Sequence, residues 1–223
     1  MVSADKGAPR DGEDVQWVNR LLPLSDGVIA IALTLLVLQL RVPSPDQLAD
    51  PDSAAQLAAE LSKGAAELVS YVVSFYVIAQ FWMLHRQLFR LISEREEGLA
   101  WWNFLFLFTI SILPFTSSLL GSFDSNPLAV DIFALNLIIA SLAIRVMTVL
   151  ARRRGLLISP ARARAGQVNA AVVPTVMAIS IGLSWWSTSA AMYSWILIAV
   201  LPNVISRRSK RARQDPADPD PPG

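Results

Sequence analysis

Arg20-Leu21-Leu22-Pro23-Leu24-Ser25-Asp26-Gly27-Val28-Ile29-Ala30-Ile31-Ala32-Leu33-Thr34-Leu35-Leu36-Val37-Leu38-Gln39-Leu40 is the stretch that decides the fold. An arginine, a proline and a Ser-Asp pair feed directly into a long apolar run. That run carries one carboxylate near its start, Asp26, and one hydroxyl near its middle, Thr34. From Leu24 to Val42 it reaches roughly 28 Å at about 1.5 Å per residue, close to the hydrocarbon thickness of a bilayer. A carboxylate at the mouth of a membrane helix is expensive and by default marks function. The chain reads as a membrane protein with this as its working helix.

The totals agree. Hydrophobic residues make up 53% of the chain and the mean hydropathy is +0.44, too apolar for a soluble domain of this length. With no cysteine and one histidine, disulfides, cysteine-based metal sites and thiol nucleophiles are excluded. The first apolar run follows a mixed-charge stretch and lacks a small-residue cleavage site, so it reads as a retained span and not a signal peptide.

Six spans are expected, giving an all-α polytopic membrane domain over residues 20–206. Residues 1–19 and 207–223, polar or rich in basic residues, Pro and Asp, read as disordered tails. Span 1 runs from Leu24 to Val42 and stops at Pro43 and Pro45. An acidic loop and an Ala-rich lead-in from Ser53 precede span 2, Ala65 to Leu91. Span 3 covers Gly98 to Gly121 with a kink at Pro114, where neighbouring helices can satisfy the freed carbonyl. Span 4 covers Leu128 to Leu150 and closes on Arg152, Arg153, Arg154 and Gly155. Span 5 covers Gln167 to Trp186, and span 6 Ala190 to Ile205.

Lysine and arginine set the orientation. They gather before span 1 (Lys6, Arg10, Arg20), between spans 2 and 3, between spans 4 and 5, and in the tail from Arg207. The remaining loops hold Asp46, Asp50, Asp52 and Asp124 against few basic residues. Both termini are expected in the cytoplasm, with Asp26 near the cytoplasmic end of span 1.

Ile31, Leu35 and Leu38 stand at i, i+4 and i+7, one stripe of a helix, with Thr34 beside it. Around an axis, several copies would stack apolar rings, and such rings gate a pore by dewetting it. Any membrane helix offers apolar stripes to lipid or neighbours, and pattern alone favours that plainer reading. Ser25-Asp26 also fits a helix N-terminus, its oxygens taking free backbone N–H groups, with Arg20 able to pair with Asp26 across a Pro23 turn. Trp82 and His85, three apart on one face, lie at the depth of Trp101, Trp102 and Asn103. His85 could hydrogen-bond Ser25 or Asp26 and join spans 1 to 3, or belong to a solvated aromatic belt.

Other chemistry fails. Adjacent Ser25 and Asp26 point about 100° apart on a helix and cannot both orient His85 as a hydrolase triad, so no enzyme is expected. No glycine-rich nucleotide loop, metal set or cofactor motif is present. The basic tail suits orientation and anionic lipid better than nucleic acid. Thr-Val-Gly-Tyr-Gly, the carbonyl filter of many potassium channels, does not occur.

The pattern Arg20-x-x-x-Leu24-Ser25-Asp26, followed by Ile31 and Thr34, resembles the Arg-x-x-x-Phe-Ser-Asp signature of the transmembrane protein 175 family, potassium channels of lysosomes and of prokaryotic plasma membranes. Trp82 and His85, Asn103, and the Pro114-Phe115 pair extend the resemblance along the chain. Leu24 departs from it, replacing the family's phenylalanine. The resemblance implies a homotetramer in which span 1 of each copy lines a central pore without a re-entrant filter. It implies Ile31, Leu35 and Leu38 as the hydrophobic constriction and Thr34 as a position of cation preference. Arg20, Leu24, Ser25, Asp26, Trp82, His85 and Asn103 become the signature and the network holding span 1. The expected function is passive conduction of K+ and other monovalent cations through a hydrophobic gate in the plasma membrane. The alternative is a proton leak or a proton-coupled transporter relayed by Asp26 and His85.

Overall fold

A computed structural model describes residues 11–92, 96–159, 171–195 and 197–198. Its order is α1 (Asp11–Leu35) continued by a 3-10 turn (Leu36–Gln39), a 3-10 turn (Pro45–Gln47), α2 (Ala54–Lys63), α3 (Ala65–Phe89), α4 (Glu97–Ser122), α5 (Pro127–Arg153), α6 (Val172–Ser184) and α7 (Thr188–Ser194). Four helical segments, Arg20–Gln39, Ala65–Phe89, Gly98–Ser122 and Pro127–Arg153, are long and apolar enough to cross a membrane. The described part is all-α, and the protein is a multi-pass membrane protein. Of the six expected spans, these four match the first four. Span 5 is described only as the shorter α6, its expected start at residues 167–170 lying outside the described residues. Half of span 6, residues 196 and 199–205, and the whole tail lie outside them too.

The start of span 1 differs from expectation. α1 begins at Asp11, within the stretch expected to be disordered, and runs through Pro23. A proline deletes one backbone bond, to the carbonyl four residues back. Here the helix already has twelve residues before it and Pro23 lies exposed, away from neighbours. Ser25 and Asp26 are therefore mid-helix and not an N-terminus, and the Ser25 hydroxyl turns back to the Leu21 carbonyl at 2.9 Å. At its other end α1 tightens to 3-10 geometry over Leu36–Gln39 and stops before Pro43.

α5 is the central post. Ala129, Phe133, Ala134, Leu137, Ala140 and Ala143 bury one of its faces, and more of α5 is covered than of any other span candidate among the described residues. It ends as its Arg-Arg-Arg-Gly sequence suggests. Gly155 takes φ +73, the Leu156 N–H reaches the Ala151 carbonyl at 2.9 Å and the Gly155 N–H reaches that of Arg152, the double bond of a Schellman stop. The Ile158 N–H donates to the Leu91 carbonyl at 2.9 Å and ties this stop to the end of α3.

α3 and α4 are joined by hydroxyls. Ser70 and Ser74 of α3 both reach Ser117 of α4, at 3.0 and 2.8 Å between oxygens, and Ser70 donates to the Ser117 carbonyl at 2.7 Å. All three are buried. Below them Ile78, Phe81, Phe106 and Ile110 close an apolar layer. α4 runs unbroken through Pro114, and the polar help from a neighbour falls on Pro114's own carbonyl, from Gln39 at 2.6 Å.

The backbones come close at Gly121, where an added Cβ would stand 3.0 Å from the Cα of Glu67. Gly121→Ala must push α3 and α4 apart, which costs about 1–3 kcal/mol. A lowered thermal midpoint in detergent is the expected result. Gly182→Ala, whose Cβ would meet nothing within 4 Å, should leave the midpoint unchanged.

Candidate functional site

α1, α3 and α4 meet in one polar cluster. His85 Nε2 donates to Asn103 Oδ1 at 2.7 Å, Asn103 Nδ2 donates to Ser25 Oγ at 3.0 Å, and Ser25 Oγ donates to the Leu21 carbonyl. His85, Asn103 and Ser25 are all fully buried. The directions follow from the ends. The serine proton is committed to Leu21, so Ser25 must accept, and only the Asn103 amide N–H can donate to it. That turns Asn103 Oδ1 toward His85 and fixes the ring proton on Nε2. His85 Nδ1 faces no partner. The ring lies between Phe89 and Phe106, with centroids 4.4 and 5.2 Å away.

A second bond stands beside this chain. Trp82 Nε1 donates to Asp26 Oδ1 at 2.7 Å, and the Arg86 guanidinium lies 5.1 Å over the Trp82 ring. The cation thus sits on the indole whose N–H serves the carboxylate, which supports the charge without a direct ion pair. The expected Arg20–Asp26 pair is absent among the described residues: Arg20 is exposed, and Asp26 is met by Trp82. With Pro23 inside the helix there is no turn to fold Arg20 back. His85 does not reach Asp26 either, and touches Ser25 only through Asn103.

These bonds fix how α1 is turned. At about 100° per residue, Asp26 lies about 100° from Ser25, while Leu24, Ile31 and Leu35 cluster about 240–280° from it. Anchored on one side, α1 presents the other. Leu24 is 48% exposed, Ile31 61%, Leu35 43% and Leu38 76%, whereas Leu21, Ile29, Ala32 and Leu36 are buried. Leu38 belongs to the 3-10 turn, where side chains three apart eclipse, so it stands directly over Leu35. Leu24 sits on this open face and takes no part in the cluster. Thr34 is exposed beside the stripe, and its hydroxyl donates to the Ile31 carbonyl at 2.8 Å. Its proton is occupied, so the oxygen lone pairs are what it offers outward.

Sequence reasoning missed a second carboxylate site. Asp131 of α5 accepts from Ser184 Oγ at 2.7 Å and from Trp185 Nε1 at 2.9 Å, joining α5 to the end of α6. A carboxylate inside an apolar span was the available signal. The Ser70, Ser74 and Ser117 cluster offered none, since buried serines separated by 43 and 47 residues carry no shared local pattern.

Comparison with known proteins points the same way. Residues 20–114 match the family model described as the endosomal/lysosomal potassium channel TMEM175. A potassium channel of Streptomyces collinus is 27% identical over 189 residues, covering 81% of this chain and 89% of that protein. The endosomal/lysosomal proton channel TMEM175 of Rattus norvegicus is 29% identical over 128 residues, covering 56% of this chain and 24% of that much longer protein. In fold, the chain is similar to the crystal structure of a lysosomal potassium-selective channel TMEM175 homolog from Chamaesiphon minutus, with a TM-score of 0.72 at 21% identity, over 86% of this chain and 98% of that one. Residues 20–114, the stretch that matches the TMEM175 family model, hold the signature and every member of the polar cluster.

Proposed function

We propose that the protein is a cation channel, permeable to K+, whose pore is lined by α1 from several copies of the chain, four by the family resemblance. The observation that carries this reading is the open apolar face of α1, with Ile31, Leu35 and Leu38 in line and turned away from an anchored polar face. Copies arranged around an axis bring those side chains into stacked rings, and a narrow apolar ring passes ions only when it wets. The potassium channel of Streptomyces collinus, matched over most of both chains, supports the same ion.

Thr34 supplies a ring of oxygen acceptors next to the constriction, which suits a cation and repels an anion. Apolar rings cannot replace a hydration shell as carbonyls do, so discrimination among alkali cations is modest. The Trp82–Asp26 bond and the His85–Asn103–Ser25 chain hold α1 at its Ser25 end, and gating is a rotation or tilt about that anchor. Both termini lie in the cytoplasm, following the bias of basic residues, and the membrane is the plasma membrane, as the family resemblance implies. Asp46, Asp50, Asp52 and Asp124 then gather cations at the outer mouth, an effect that fades with salt.

The rat relative is named a proton channel, and a wetted pore also carries protons. A proton-coupled relay from His85 to Asp26 is the weaker reading. The chain from His85 runs through Asn103 to Ser25 and terminates on a backbone carbonyl, while Asp26 is bonded to an indole that does not pass protons on.

Flux from liposomes under K+, Na+ and proton gradients tests the channel. Ile31→Asn places a polar ring at the constriction and should conduct K+ at least about tenfold faster than the wild type, the equivalent of about 1.4 kcal/mol off the barrier. If neither protein leaks K+ while the variant remains folded, the channel reading is wrong. Thr34→Val keeps the shape and removes the acceptors, so the ratio of cation to anion flux should fall. For the anchor, Trp82→Phe keeps the ring but leaves Asp26 without its donor. The expected loss is about 1.5–3 kcal/mol, the range for bonds to charged groups, read as a lower thermal midpoint. Repeating the substitution on Asp26→Ala should cost much less.

A further inference from the structure

The cluster around Ser25 explains how one end of α1 is held. The other end, some 20 Å away along the helix, is held as well. Gln39, the last residue of the 3-10 turn, donates its amide to the Pro114 carbonyl of α4 at 2.6 Å. Two residues on, Arg41 gives its backbone N–H to Glu67 of α3 at 3.4 Å, forms an ion pair with the same carboxylate through Nε at 3.4 Å, and gives its Nη2 to Ser122 of α4 at 3.5 Å. Two residues at the end of one helix thus address two others. They do so beside Gly121, whose missing side chain lets the backbone of α4 approach Glu67 of α3.

The winding of the turn follows from these bonds. In 3-10 geometry Gln39 eclipses Leu36, which is fully buried, and so points inward toward α4. With continued α-helical winding, three residues advance by about 300°, and Gln39 would lie about 60° from that direction. The same rotation acts on Leu38. In the 3-10 turn Leu38 stands over Leu35, and in an α-helical turn it would be about 60° off that line. The bond that directs Gln39 inward therefore also sets Leu38 in line with Leu35, where α-helical winding would place it nearer the line of Ile31.

We propose that Gln39, with the Arg41–Glu67 pair, is a second anchor that keeps the end of α1 wound as a 3-10 turn and so sets the position of the Leu38 ring. This rests on the channel reading for its consequence, a controlled outer constriction, but not for its geometry. Gln39 and Glu67 are positioning residues: they touch no ion and act through Leu38. Releasing them lets Leu38 leave the line of Leu35, which widens and unsettles the outermost ring.

The chain has no cysteine, so a single one can be introduced and labelled cleanly. A spin label on Leu38→Cys reads the outer turn. A label on Gly27→Cys, where a side chain would meet nothing within 4 Å, reads the far end. Gln39→Leu and, separately, Glu67→Gln are compared with the parent in liposomes. The expected result is a more mobile label at position 38, an unchanged one at position 27, and K+ flux raised about two- to tenfold, as one lost hydrogen bond allows. An unmoved label at position 38 in both folded variants overturns the anchor. A mobile label with flux unchanged overturns its role in the constriction. If Ile31→Asn also shows no K+ flux, the channel reading has failed, and the label alone decides whether Gln39 holds the turn.

Discussion

Asn103 is the side chain on which the rest of the arrangement depends. It stands inside an apolar bundle with both halves of its amide used, the oxygen by His85 of α3 and the nitrogen by Ser25 of α1. In such surroundings an unmet amide costs several times what a met one contributes, so the bonds act less as glue than as a condition on the fold. Three helices can slide and turn on apolar contacts with little penalty. They cannot do so while one amide requires a particular residue from each neighbour. The Trp82–Asp26 bond adds a second point on α1 one residue on, and two adjacent anchors leave no rotational freedom at that level.

The same logic recurs at other depths. The hydroxyls of Ser70, Ser74 and Ser117 fix α3 against α4, and Gly121 lets their backbones approach. Between this level and His85 lies a purely apolar layer of Ile78, Phe81, Phe106 and Ile110. α5 follows a different rule. Its buried face is mostly alanine interleaved with Phe133 and Leu137, and small side chains let helices pack closely where lipid gives no hydrophobic drive. Its polar bonds are at its flanks: Asp131 to Ser184 and Trp185, and Asn136 to the Thr109 carbonyl at 3.1 Å. α5 supplies bulk and α3 and α4 supply register.

Much of this was legible in the sequence. Apolar length and charge at the ends set the bounds of α3, α4 and α5 to within a few residues, and Trp82, His85, Asn103, Ser25 and Asp26 do gather in one place. The partners did not come out as expected. Ser25-Asp26 after a proline has every local mark of a helix start, yet α1 had begun twelve residues before that proline. A local capping rule cannot register a helix already running from upstream. Which acceptor each donor takes is a question of distance between helices, and no periodicity within one helix contains it. Trp82 and His85 lie only about 60° apart around α3. That small difference sends one to Asp26 and the other to Asn103.

The open face of α1 is apolar, and apolar side chains facing lipid cost nothing. Ile31, Leu35 and Leu38 would be as comfortable against acyl chains as around a pore, and exposure by itself does not separate the two. Anchorage does. A helix that only faces lipid gains nothing from a fixed rotation, since every apolar azimuth is equivalent to the hydrocarbon around it. Here buried polar groups hold one end of α1, and Gln39, Arg41 and Glu67 meet the other. All of them lie off the Ile31 stripe. Holding polar side chains in place carries a cost in conformational entropy and desolvation that a passive lipid-facing helix has no reason to bear. It is a reasonable cost for a helix whose outward row must meet equivalent rows from other copies with side chains in register. In that case a turn of α1 by a few tens of degrees changes the constriction, and the polar bonds become the terms that set it.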